Sequence, residues 1–239
     1  MESIMKIATW NVERLKHRKD LDEIIDICNR LHADILVLTE SDIDIQPYYK
    51  HCRHTETLEN FDKPIPSHPT EDQLSTHTHY YKPTERRVSI YTNYEIVREH
   101  TTYDKHTALC LELKTEKGNI LVYGTIMGVL AHKKPFYMND IIKQTNDIIR
   151  FTKEGYNICI CGDYNCSFSD NYFFTSESRN LLLQKFTKCD IRLVTAGSWQ
   201  GIDHIAISKE FIGESPILIS EWNTEKTLSD HKGISVQFD

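Results

Sequence analysis

The stretch that most constrains this chain is ICICGDYNCS, residues 158–167. From Asn157 to Cys161 apolar and small residues alternate, which predicts a buried strand, and the pattern breaks at Gly162. Asp163 and Asn165 follow the break at once. A loop at a strand end is where a rigid sheet holds polar groups out toward a ligand. Asp and Asn also form ordinary Asx-turns, so this loop alone decides nothing. Its meaning comes from other strand ends that deliver matching residues.

Met5 to Trp10 reads as a short strand ending at Asn11, and Ala33 to Leu38 as an apolar strand delivering Thr39 and Glu40. Between them Leu21, Ile24, Ile25, Cys28 and Leu31 keep helical spacing, with Asp20 as the expected N-cap. Residues 44–85 are rich in His, Tyr, Thr and Pro and show no stable period; one strand and long loops are expected there. Val88–Asn93 and Thr107–Lys114 alternate as antiparallel strands, and Lys117-Gly118-Asn119 turns into a buried strand carrying Tyr123. Helical spacing returns over 136–151 and from Thr175 to Phe186, and short strands are expected within 191–195, 201–208, 215–222 and 233–238. No stretch has linker composition and no internal repeat is visible. The expectation is one domain over residues 1–239, mixed α/β, with strands outnumbering helices.

Composition narrows the partners. A formal net charge of -7 argues against bulk, sequence-independent DNA binding, which rests on neutralising phosphates with Lys and Arg. Seven cysteines, an odd number placed mostly in apolar runs, read as free thiols in a reducing compartment. The first residues lack a signal-peptide pattern, and no apolar run approaches the roughly 18 residues of a membrane span. A cytoplasmic monomer is expected.

Collected by position, the polar strand-end residues are Asn11, Glu40, Tyr123, Asp163, Asn165, Asp203, Asp230 and His231. Carboxylates at Glu40, Asp163 and Asp230 converge only if something offsets their repulsion. A divalent cation does so, and oxygen ligands with an amide favour Mg²⁺ or Mn²⁺ over Zn²⁺. Cys159, Cys161 and Cys166 do not have zinc-ribbon spacing. A carboxylate-bound Mg²⁺ beside a histidine suits the hydrolysis of phosphate esters. Taken singly, Asn11 and Asn165 read first as turn formers, and Tyr123 as core.

WNVE at Trp10–Glu13, LTES at Leu38–Ser41, GDYN at Gly162–Asn165, then Ile202-Asp203-His204 and Ser229-Asp230-His231 follow one another along the chain. In this order they resemble the endonuclease/exonuclease/phosphatase superfamily, which includes exonuclease III and DNase I, over about residues 5–238. The resemblance implies a four-layered αββα sandwich, two mainly antiparallel sheets face to face with helices outside. It also implies roles. Glu40 resembles the principal metal ligand, with Asn11 beside it on metal or phosphate and Asp230 near the metal. Asp163 resembles the residue that orients or deprotonates the attacking water, and Asn165 one that holds a phosphate oxygen. His231 resembles the catalytic histidine, Asp203 the carboxylate that orients it, and Tyr123 a phosphate-contacting tyrosine. His204, next to Asp203, is expected to face the other way along its strand.

The basic segment Arg14, Lys16, Arg18, Lys19 follows the Asn11 strand end and is a candidate for substrate phosphates, or else a solvated helix entry. Trp199 resembles an aromatic lining the lesion pocket of abasic-site endonucleases. Two departures weaken that specific activity: Leu38-Thr39-Glu40-Ser41 stands where those enzymes have Gln-Glu-Thr-Lys, and Ile126 where their Tyr-x-Pro-Asn run places an amide. The implied function is therefore a Mg²⁺-dependent phosphodiester hydrolase, foremost a nuclease on DNA or RNA. The alternatives are hydrolysis of a small phosphorylated metabolite or nucleotide, and an inactive binding module on the same fold.

Overall fold

The computed structural model describes residues 4–57, 82–128 and 136–239. The chain opens with β1 (Met5–Asn11) and α1 (Leu21–Arg30), which buries Ile24 and Cys28 one turn apart. Asp20 occupies the N-cap position of α1 but makes no capping hydrogen bond, its carboxylate lying instead near His17 and Lys19. Next come β2 (Ile35–Asp42), β3 (His51–His54), β4 (Glu85–Thr92), β5 (Glu95–His100), β6 (Ala108–Thr115) and β7 (Gly118–Ile126). Then follow α2 (Phe136–Lys153), β8 (Ile158–Asp163) and α3 (Ser176–Lys188), whose N-cap Thr175 accepts a hydrogen bond from the Ser178 amide at 3.1 Å. The remainder is β9 (Ile191–Leu193), β10 (Asp203–Ser208), the single turn α4 (Lys209–Ile212), β11 (Leu218–Trp222) and β12 (Gly233–Phe238).

These strands make two six-stranded sheets, ordered β11-β12-β1-β2-β4-β3 and β5-β6-β7-β8-β10-β9. Each sheet has a single parallel pair near its centre, β1 with β2 and β7 with β8, and all other pairs are antiparallel. Parallel neighbours need a crossover, supplied by α1 in one sheet and α2 in the other. Side chains alternate across each strand. Ile7, Val37, Val88 and Ile90 of the first sheet thus meet Leu111, Val122, Cys159, Cys161 and Ile205 of the second. On the outer faces, Ala8, Trp10, Leu36 and Leu38 pack on α1, while Cys110, Leu121, Ile160 and Ala206 pack with α2 and α3. The expected four-layered αββα sandwich is what forms. All seven cysteines are free thiols. Among the described residues no helix is long and apolar enough to cross a membrane.

Strand β5 has no counterpart in the sequence reading. It is an edge strand, exposed along most of its length and interrupted by a bulge between Ile96 and Arg98, so no two-residue alternation is written into it. Of residues 44–85, β3 is the expected strand; residues 58–81 lie outside the described residues.

Two positions on the second sheet carry its local demands. Gly162, opposite Thr125 on β7, has φ +141°, and a Cβ there would sit 1.9 Å from the Thr125 carbonyl oxygen. Only glycine takes this conformation so close to the β7 backbone, one residue before β8 ends at Asp163. Across the sheet from it, His204 is fully buried on the outer face, against the rings of Tyr164 and Phe168. Its Nε2–H donates to the Cys166 carbonyl at 3.1 Å and its Nδ1 accepts from Thr195 Oγ1 at 3.0 Å, a pairing that suits the neutral ring. Burial pushes its pKa down to about 4, against a smaller upward pull from Asp203.

Gly162→Ala should cost at least about 2 kcal/mol, seen as a fall in Tm of roughly 5 °C or more. For His204 the folded pKa lies below the unfolded one. Its contribution is therefore complete above about pH 6.5 and is lost as pH falls toward 4. Between pH 7 and 5 it should remove about 2 kcal/mol of stability, and urea titrations should show this component missing from His204→Gln.

Candidate active site

The two parallel pairs end at the same place. Asn11 closes β1 and Asp163 closes β8, and the Asn11 side-chain amide donates to Asp163 Oδ2 across the seam between the sheets at 3.2 Å. Because β8 and β10 run antiparallel with Asp163 opposite Asp203, the end of β8 and the start of β10 deliver the two carboxylates side by side. The loop between β11 and β12 belongs to the first sheet and brings in His231, whose Nδ1 lies 2.5 Å from Asp203 Oδ2. That leaves Nε2 as the nitrogen free to meet a ligand. Trp10 Nε1 (3.2 Å) and Asn223 Nδ2 (2.7 Å) hold the His231 carbonyl, so the imidazole is anchored from behind.

Asp163 is almost wholly buried and richly held. Its Oδ1 accepts from the Asn165 backbone amide at 2.8 Å, and its Oδ2 accepts from Asn165 Nδ2 at 3.3 Å. Asn165, in the left-handed region at φ 47°, also donates Nδ2 to the Met127 carbonyl at 3.0 Å. Its amide is thus spent on fixing Asp163 and the β7 end, whereas the resemblance implied a grip on phosphate. Burial pushes the Asp163 carboxyl up to about 7; the Asp203 and Glu40 charges add to this while His231 opposes it. Burial works against a charged His231, but the Asp203 charge and hydrogen bond outweigh it, and with Asp163 and Asp230 they lift the imidazole to about 10. The centre therefore holds an imidazolium against several carboxylates, with negative charge in excess.

That excess bears on the divalent cation implied by the sequence. Glu40 sits on β2 with an unusual φ of 45°, and its half-buried carboxylate has no hydrogen-bond or ion-pair partner among the described residues. Asp203 Oδ1 is buried and likewise lacks a hydrogen-bond partner. Among the described residues no three His, Cys, Asp or Glu side chains gather to hold a metal by themselves. Zn²⁺ in a structural site would need such a set. Mg²⁺ does not, since it keeps several waters and takes one or two carboxylates plus substrate oxygens. Glu40 with Asn11 fits that requirement. Asp230 stands apart: its side chain is 64% exposed, 3.7 Å from His231 Nε2, on the solvent side of the histidine.

Several expected site residues are placed elsewhere. Tyr123 is fully buried under α2, its hydroxyl donating to Asp147 at 3.2 Å. The β7–β8 register explains this, because Ile126 stands beside Asp163 and Tyr123 lies opposite Ile160, three residues back on the helix-covered face. Arg14 is not directed at the site but clasps Glu85 through Nε (3.1 Å) and Nη2 (2.9 Å). Lys16 pairs with Glu13 and Arg18 with Asp44, while Lys19 projects into solvent near Asp20. Of this segment Lys16 stays within electrostatic reach of Glu40 and Asp230. Trp199 is 65% exposed, with its carbonyl accepting from Lys232 Nζ at 2.6 Å.

Other residues that organise the site escaped the sequence reading. Glu13 Oε2 accepts from the Asp230 amide at 3.1 Å and so ties the β1 end to the His231 loop. On α2, Asp140 accepts from the Gly128 amide (2.6 Å), and Gln144 donates to the Ile126 carbonyl (2.8 Å) and accepts from Thr125 Oγ1. Those contacts clamp the turn whose Met127 amide donates to the Asp163 carbonyl at 2.8 Å. Asp140 and Gln144 sit four residues apart on the buried face of α2, which also carries Thr145 and Asp147, and polar residues at core-facing helix positions are the one signal that flags them.

With this geometry in view, residues 8–231 match the Endonuclease/Exonuclease/phosphatase family. The fold is similar to a 3'-5' exonuclease (NExo) from Neisseria meningitidis, with a TM-score of 0.67 and 17% identity over 98% of this chain and 100% of that one. An AP endonuclease from Archaeoglobus fulgidus has a TM-score of 0.64 and 15% identity, covering 98% of this chain and 99% of that one. An endonuclease/exonuclease/phosphatase from Beutenbergia cavernae has a TM-score of 0.65 and 11% identity, covering 98% and 71% respectively. At these identities the likeness is one of fold, and no curated protein matches the sequence. The family match spans nearly the whole chain and both sheets that build the centre: this chain belongs to the Endonuclease/Exonuclease/phosphatase family.

Proposed function

We propose that this chain is a Mg²⁺- or Mn²⁺-dependent phosphodiester hydrolase, a nuclease that cleaves DNA or RNA by attack of water on phosphorus. The family and its structural neighbours are hydrolytic phosphoesterases, generally dependent on a divalent metal. The observation that carries the reading is the Asp203–His231 contact of 2.5 Å set beside the buried, hydrogen-bonded Asp163. Asp163, its pKa lifted to about 7 by burial, orients and deprotonates the water. His231, fixed as an imidazolium by Asp203, stabilises the negative charge that develops on the phosphoryl oxygens. Asn11 and Asn165 keep Asp163 aimed, and Glu40 with Asn11 would hold the cation. When bound, the cation supplies charge neutralisation at the phosphate and at the departing oxygen.

A second reading has a specific observation behind it. The basic segment proposed for a polymer backbone is largely consumed by Glu13, Asp44 and Glu85. With a net charge of -7, this favours a small phosphate ester or nucleotide as substrate.

One assay separates the readings: hydrolysis of plasmid DNA, single-stranded RNA, an abasic-site duplex and bis-p-nitrophenyl phosphate, each with Mg²⁺, Mn²⁺ or EDTA. Metal-dependent cleavage of a polymer is expected, with Asp163→Asn and His231→Ala each lowering kcat by at least about 100-fold. Turnover confined to the small ester would establish the second reading. Full turnover in excess EDTA would remove the cation from the account, and silence on all four substrates would favour an inactive binding module.

A further inference from the structure

Beside His231 lies a cleft of about 410 Å³, bordered by Tyr172, Phe173, Gln200, Lys226 and Lys232. That volume is in the range of sites for one small ligand, about 300–1,000 Å³.

Two lysines face this cleft, and their circumstances differ. Lys232 is neutralised by Glu221 at 2.7 Å and donates to the Trp199 carbonyl. Lys226 has no carboxylate partner among the described residues. It lies 4.9 Å from the centroid of the Tyr172 ring and donates to the Tyr172 hydroxyl at 3.0 Å. That bond uses one of its three N–H donors. Around the active centre the other cations, Arg14, Lys16 and Arg18, are also paired with carboxylates. Lys226 is the cation at this cleft whose charge is left for a ligand.

Both sides of the pair are held in place. Asp170 accepts from the Tyr172 amide at 2.8 Å and from the Gln200 amide at 2.6 Å, locking the Tyr172 loop to the loop that carries Trp199. Opposite, Asn223 Oδ1 accepts from the Thr227 and Leu228 amides at 3.1 Å, its carbonyl accepts from the Lys226 amide at 2.9 Å, and its Nδ2 donates to the His231 carbonyl. One asparagine thus sets the position of Lys226 relative to the catalytic histidine. Tyr172 is 48% exposed although its backbone is fixed, with the Lys226 ammonium over its ring.

From this arrangement we infer that the cleft is a subsite for the nucleotide next to the scissile phosphate, with Lys226 binding the neighbouring phosphate and Tyr172 stacking on the base. The inference rests on the nuclease reading and narrows it to a single strand threaded past His231. A cation with an aromatic platform is the combination single strands require, since phosphate contacts and base stacking are the two sequence-tolerant sources of affinity.

The test pairs binding with turnover. Binding of a fluorescein-labelled single-stranded 12-mer is followed by anisotropy in the Asp163→Asn background, across a range of salt. Kinetics are measured on the same oligonucleotide and on bis-p-nitrophenyl phosphate. Lys226→Ala should weaken oligonucleotide binding about tenfold and reduce the magnitude of the salt slope by about 0.7, the loss of one phosphate contact. Tyr172→Leu should weaken binding about tenfold through lost stacking and leave the salt slope alone. In turnover, both variants should lose at least about ten times more kcat/KM on the oligonucleotide than on bis-p-nitrophenyl phosphate. Lys226→Arg should restore most of the binding, which a folding defect would not allow. Equal losses on both substrates, or no loss on the oligonucleotide, would overturn the subsite while leaving the nuclease reading standing. A wild-type protein that neither binds nor cleaves any nucleic acid would instead overturn the nuclease reading, and the subsite with it.

Discussion

The contact on which the rest depends is the one between Asp203 and His231. Asp203 stands on the second sheet and His231 on a loop of the first, so their 2.5 Å approach can form only when the sheets pack in register. The packing that sets it is the apolar seam of Ile7, Val37 and Val88 against Val122, Cys159 and Ile205. Removing one partner of a buried charged pair strands the other, at a cost of about 3–5 kcal/mol. The geometry of this pair and the packing of the sandwich therefore rest on the same seam.

Around this contact charge is arranged locally and not as a broad field. Burial and neighbouring carboxylates press on Asp163, one imidazolium answers them, and most cations at the rim are already paired within the molecule. A substrate is then recognised by a few defined contacts, with little long-range attraction to draw it in. Such a surface discriminates by fit at the centre.

The parts legible from sequence were those where chemistry and strand ends coincide. Gly162-Asp163, Asp203 and His231 could be placed because a strand break next to an acid or a histidine is a local signal. His204 could be set aside as core because side chains alternate. Register is not local, and that is where the reading of Tyr123 went astray: its neighbour across the sheet is Ile160, which only the β7–β8 pairing reveals. Arg14 and Arg18 were legible as basic but not as paired, because Glu85 and Asp44 reach them from distant parts of the chain. β5 was hidden because an exposed, bulged edge carries no alternation to read. Gln144 and Asp140 were hidden because a polar residue on a helix shows its purpose only through the backbone turn it clamps.

The position of β1 has a consequence for the order of events during synthesis. It lies between β2, its near neighbour in the chain, and β12, with Met5 facing Phe238. Until β12 emerges from the ribosome, one edge of β1 stays open and the loop bearing His231 has no strand to anchor it. Contacts of such long sequence separation form late, after loop closure has been overcome. A nascent chain can assemble most of the second sheet and shelter Asp163, yet it remains without its histidine. The pairing of Asp203 with His231 is thus coupled to the closing of a sheet edge that would otherwise invite mispairing.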